Sequence, residues 1–203
     1  MIHVLALTVA VALSDLPAPA KSAGLTADEW TRISKGEVVS KTETFKTADG
    51  KDAGRGRAWA LINATPDQCL ATLKKYEDAP LYMPRLKKVT FLDRKDTTMT
   101  VVQELKVAFS TYRYSMNFVF DPSAHAMSWT LNKAYKNDIK DTTGTWSFVA
   151  LDGGKTLLDY TVSADTGAAV PAFLANYLTQ RDLPDVLSSF KKRVESGGTW
   201  TKD

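Results

Sequence analysis

With 203 residues, 44% of them hydrophobic and 24% charged, the chain has an ordinary globular composition and the length of one well-buried domain, which excludes disorder for its bulk. A net charge of +3 spread over both signs, without a run of Lys and Arg interleaved with aromatics, excludes a basic nucleic-acid-binding surface. The single cysteine, Cys69, excludes an intrachain disulfide. It reads as a buried helix residue rather than a nucleophile, because only His3 and His125 could serve it as imidazole bases.

Val4 to Leu13 is an apolar run broken only by Thr8, too short to span a bilayer comfortably. No Lys or Arg precedes it, and Ala18-Pro19-Ala20 follows as a small-x-small pattern. Residues 1–20 are therefore expected to be a cleaved signal peptide, with a mature chain beginning near Lys21 and a periplasmic or secreted protein. Residues 21–35 read as an N-terminal helical extension. Its helix spans Leu25 to Lys35, with Thr26 as N-cap, Glu29 three residues on and Gly36 as the stop.

Glu37 to Phe45 reads as a strand, Asp49-Gly50 as a turn, and Arg57 to Ile62 as a second strand or the first continued after a bend. Thr65-Pro66-Asp67-Gln68 combines a cap, a proline at the first helical position and a capping box. Leu70, Leu73 and Tyr76 then share a helical face, which must end before Pro80, and a short helical turn follows around Leu81 to Pro84. From Leu86 to Ala164 six strands are expected, cleanly alternating and joined by short turns, as in an antiparallel meander wet on one face. Pro171 to Gln180 and the stripe Leu183, Val186, Leu187, Phe190 and Val194 read as C-terminal helix, stopped by Gly197-Gly198. The long amphipathic helix is the available cover for the twisted meander. The resulting class is α+β: a curved antiparallel sheet wrapped around a long C-terminal helix, with two short helices after the first strand.

Two segments resemble the START/Bet v 1-like helix-grip (SRPBCC) superfamily, in its lipid-binding START-like or polyketide cyclase/dehydrase-like branch. Ala64 to Leu70, on through Tyr76 to Tyr82-Met83-Pro84, resembles the family's first helix pair. Val170-Pro171-Ala172-Phe173-Leu174-Ala175-Asn176, on through Leu183-Pro184 to Arg193, resembles its C-terminal helix signature. The resemblance places a START-like domain over residues 36–198, with a tail at 199–203. It implies a deep hydrophobic cavity for lipids, sterols or polyketide-like molecules, generally without a metal, and no cofactor is expected.

The inward faces carry Tyr112, Tyr114, Phe118, Trp129, Trp146, Phe148 and Tyr160, with Gln103 among them. Many of these are ordinary core residues. The tyrosines and Gln103 also bring polar groups that need partners when buried, and a ligand or an ordered water can supply them. No catalytic constellation stands out. His125 follows a turn and is expected to face solvent, and Lys133, Lys136, Lys140, Asp138 and Asp141 read as a charged, exposed connection. The favoured function is carriage or transfer of a hydrophobic small molecule. A cyclase/aromatase-like enzyme and a partner-binding module with a filled core remain open. Tyr82, Met83, Phe173 and Tyr177 are expected to form a lid that opens in transient contact with a membrane.

Overall fold

The structure is a computed structural model that describes residues 16–46, 52–107, 109–165 and 182–202, with the backbone alone for 43–46 and 52–54. Eight strands form one antiparallel sheet, which is curved: β1 (Val39–Lys46), β2 (Asp52–Ile62), β3 (Leu86–Arg94), β4 (Thr98–Val107), β5 (Ser110–Asp121), β6 (Ala126–Leu131), β7 (Asp141–Leu151) and β8 (Lys155–Asp165). The spatial order is β1-β2-β8-β7-β6-β5-β4-β3. The chain thus leaves β2, crosses to the far edge through helices, and returns strand by strand until β8 pairs with β2. The expected six-strand meander is present, and the two readings of residues 37–62 resolve into a pair of antiparallel strands, Val39 opposite Trp59.

The crossing is made by α3 (Pro66–Lys74), a 3₁₀ turn at Tyr76–Asp78, and α4 (Ala79–Tyr82). Thr65 caps α3 through a reciprocal capping box with Gln68. Cys69 lies on the buried face of α3. Burial raises its thiol pKa to about 12, opposed by a hydrogen bond with Thr156, so the reactive thiolate is scarce at neutral pH. Native protein should therefore resist an aromatic disulfide reagent, and denatured protein should release one thiol's worth of chromophore. Fast labelling of the native state would contradict this.

The long helix expected at the C-terminus is α5 (Asp182–Glu195), which begins two residues before Pro184. Pro184 is tolerated there because first-turn amides have no intrahelical acceptor to lose. Leu183, Leu187 and Phe190 are fully buried against the concave face. The small residues Ala58 and Ala60 of β2 are buried on that same side, which lets the helix approach closely. Trp200 and Lys202 fold the tail back over the start of β3, with the Lys202 amide donating to the Leu81 carbonyl at 2.9 Å. The helix expected over Pro171 to Gln180 and the turn at Asp49-Gly50 lie outside the described residues.

A second apolar layer covers the convex face. Helix α1 (Ala18–Ser22) and helix α2 (Ala27–Ser34), the latter capped by Thr26 and Glu29, bring Ala20, Leu25 and Ile33 onto Trp59 and Leu157. Trp59 and Leu157 alternate with the inward residues Ala58 and Leu158, so one pair of strands feeds two cores. Ala18-Pro19-Ala20, expected as a leader boundary, makes the first turn of α1, and Ala20 is fully buried.

Candidate functional site

The space between α5 and the sheet is not filled evenly. Towards the helix C-terminus Phe190 packs on Trp146 and Phe148, with ring centroids 4.8 and 5.7 Å away. One turn earlier the helix presents Val186, too short to reach across. A void remains there, about 790 Å³ including its open mouth, with about 80 Å³ of room for the centre of a water-sized group. The free interior is therefore small. A ligand of any length must displace side chains. Met83 and Met116 are the wall residues best able to give way, because an unbranched thioether repacks at low cost.

The deep wall is a continuous run of rings. Tyr76 tilts on Phe118 at 4.9 Å, Phe118 on Trp129 at 6.5 Å, Trp129 stacks on Tyr160 at 5.7 Å, and Tyr160 meets Trp146 at 4.6 Å. Strand register creates this run. Phe118 is directly opposite Trp129 across β5–β6, and Trp146 is opposite Tyr160 across β7–β8. Trp129 in turn faces Gly144 across β6–β7. A Cβ built at Gly144 would fall 2.2 Å from two carbons of the indole, so the missing side chain is what allows the ring to lie flat against β7.

Two polar pairs are set into the apolar wall. Gln103 Nε2 donates to the Tyr76 hydroxyl, and Trp129 Nε1 donates to Thr142 Oγ1 at 3.3 Å. Both pairs are uncharged and buried, and hydrogen bonding removes the desolvation cost that each group would otherwise carry. At the rim Arg85, held at a φ of 61°, donates to Asp182 Oδ1 at 2.8 Å. This ion pair joins the turn after α4 to the first residue of α5, near Pro84 and Val186 of the cavity wall.

The structure places Gln103, Tyr114, Phe118, Trp129, Trp146 and Tyr160 around one cavity. Phe148 is instead core beside the cavity, covered by Phe190. Tyr112 is half-buried against the core outside the wall. Met83 lines the cavity. Tyr82, expected in the lid, has a fully buried side chain, 6.3 Å from Phe190 and beneath Arg193. Four consecutive helical residues cannot all face outward, and Leu81 takes the exposed side. Phe173 and Tyr177 lie outside the described residues.

Several wall residues were not singled out in the sequence, among them Tyr76, Leu105, Met116, Thr142 and Ile139, and neither was Gly144 behind the wall. Leu105 and Met116 sit on faces already read as inward, so alternation alone could have added them. Gly144 could not be found without its cross-strand partner. Ile139 lies in the connection read as merely charged and exposed, yet it is buried and lines the cavity. The reason is local. Asn137 accepts from the Ser115 amide and Asp138 from the Arg113 amide, each at 2.7 Å, and these bonds clamp the loop to β5 so that Ile139 turns in. His125, at a φ of 46°, bonds Asp67 at 3.2 Å and lines no part of the cavity.

Residues 56–195 match the family model described as polyketide cyclase / dehydrase and lipid transport. The chain belongs to that family. The match runs from β2 to the end of α5, so α1, α2 and β1 precede the cyclase and lipid-transport domain proper. No curated protein matches the chain significantly in sequence. Among solved structures, a protein from Thermus thermophilus has a TM-score of 0.60 at 18% identity, covering 70% of this chain and 98% of its own. A STAR-related lipid transfer protein from Xanthomonas axonopodis has a TM-score of 0.60 at 16% identity over 75% of this chain and 98% of its own. A START superfamily protein from Mycobacterium smegmatis gives 0.56 at 17% identity, over 79% and 99%. At these identities the likeness is one of fold: the helix grip, a curved sheet holding a long helix.

Proposed function

We propose that this family member carries a hydrophobic small molecule in the cavity between α5 and the sheet. The observation that supports it is a void walled by stacked aromatic rings, with neutral hydrogen-bonding pairs set into its wall. Apolar burial supplies the affinity, at roughly 0.8 kcal/mol for each methylene removed from water. The pairs orient whatever oxygen or nitrogen the ligand carries. The family's description and the lipid-transfer protein among its structural neighbours support the same reading.

Purified protein extracted with organic solvent should yield an apolar molecule. The neutral dye N-phenyl-1-naphthylamine should bind the emptied protein and quench Trp129 and Trp146. Gln103→Leu should weaken dye binding by up to about tenfold, the scale of one net hydrogen bond. Extracts without any apolar molecule, together with no dye binding, would overturn the proposal. A second, catalytic reading draws on the Tyr76–Gln103 pair, which could hold a substrate carbonyl for ring closure. Cyclisation of a poly-β-ketone analogue, abolished in Tyr76→Phe while dye binding persists, would establish it.

A further inference from the structure

We propose that the end of the sheet formed by the start of β3 and the β4–β5 turn, next to the cavity wall, docks on a bilayer surface bearing anionic lipids. The proposal rests on the carrier reading and supplies the surface from which cargo would be exchanged. Phe109, between β4 and β5, is 99% exposed, and Leu81 on α4 is 48% exposed. Both adjoin elements that line the cavity: Leu105, four residues before Phe109, is in its wall, and α4 runs directly into Met83 and Pro84, also in the wall. The two elements are tied together, since the Lys106 amide donates to the Arg85 carbonyl at 2.8 Å and Leu86 pairs with Leu105. Phe109 and Leu81 are therefore presented on one end of the molecule. A single exposed apolar side chain is ordinary; what marks this end is two of them, Phe109 and Leu81, on tied elements, and the bilayer interface suits an aromatic ring.

The surrounding charge fits that occupant. Lys87, Lys88, Lys106 and Lys202 lie at this end, and among the described residues none of them has a carboxylate partner. Lys106 Nζ instead donates to the Phe109 carbonyl at 3.2 Å. Lys202 donates to the carbonyls of Met83 and Leu86. Burial first, and then the positive charge of Lys87, lower the Lys202 pKa, which places the two cations within each other's field. The nearby acids are occupied: Asp182 by Arg85 at 2.8 Å, and Glu104 by Arg113 at 3.4 Å. An apolar tip in a cationic ring is the arrangement that anionic headgroups attract and the interface then holds.

The test is flotation of the full chain with vesicles of phosphatidylcholine containing phosphatidylglycerol, against pure phosphatidylcholine. Wild type should float with the anionic vesicles at low salt and lose at least tenfold in affinity on pure phosphatidylcholine or at high salt. Phe109→Asp should lose at least tenfold on anionic vesicles, and Lys106→Glu should both weaken binding and flatten its salt dependence. Both variants should bind N-phenyl-1-naphthylamine like wild type, because neither side chain lines the cavity. Dye binding with no flotation on anionic vesicles, or variants that float like wild type, would overturn the docking face. Flotation that depends on Phe109 in a protein that binds no dye would instead overturn the carrier reading and leave the docking face standing. Capture of a protein partner through Phe109 in place of vesicles would also overturn it.

Discussion

Phe190→Ala is expected to lower the unfolding free energy by about 3–5 kcal/mol. Phe190 is fully buried on α5 and meets three other rings: Trp146 at 4.8 Å, Phe148 at 5.7 Å and Tyr82 at 6.3 Å. Truncation loses the transfer energy of the ring and leaves a hole that these neighbours, fixed on β7 and on α4, cannot close. A denaturant titration at unchanged slope should show the whole difference in the midpoint. The new hole would lie beside the natural void, separated from it by Trp146, so the dye should bind no more weakly than to wild type. A loss below about 1 kcal/mol would mean that the sheet does not grip the helix through this residue.

Gly144→Ala is expected to act on the ligand more than its single carbon suggests. The added Cβ would lie 2.2 Å from two indole carbons of Trp129 and 2.3 Å from the Thr161 carbonyl oxygen. Rotating the indole relieves the first clash but not the second, which is with backbone, so the strand must shift as well. Overpacking of this kind costs about 1–3 kcal/mol of stability. A displaced Trp129 also gives up its bond to Thr142 and its stack on Tyr160, and both belong to the cavity wall. Binding of N-phenyl-1-naphthylamine should fall by at least about tenfold, equivalent to roughly 1.4 kcal/mol, and tryptophan emission should shift in the free protein. Wild-type dye affinity in a folded Gly144→Ala protein would show that Trp129 does not shape the site.

The contrast between these two positions separates what was legible in the sequence from what was not. Phe190 belongs to a stripe at helical spacing, and the amphipathic period alone placed it inward. The same holds for Phe118, Trp129, Trp146 and Tyr160, because a strand sends alternate residues to one face whatever its neighbours are. Capping boxes at Thr26 and Thr65 fixed two helix starts for an equally local reason: the cap, its partner and the backbone they satisfy lie within four residues. Sequence by itself therefore determined most of the described elements, their inward faces and, through their order, the helix grip, but not α1, which begins in the stretch read as a leader.

Tertiary structure decided where those faces leave space. Phe148 and Trp129 carry the same inward signal, yet Phe148 is capped by Phe190 while Trp129 looks onto the void, because α5 offers a ring at one turn and Val186 at the one before. Tyr82 and Leu81 are adjacent in one short helix, and only the position of Arg193 and Phe190 above it makes Tyr82 core. Ile139 faces inward because Asn137 and Asp138 find amides on β5 more than twenty residues away in sequence. Trp59 and Leu157 served a second core that period-two reasoning could only mark as the wet face, until α1 and α2 came to lie on it. Faces follow from covalent geometry one residue at a time, whereas a cavity is what is left over when distant side chains of unequal length meet.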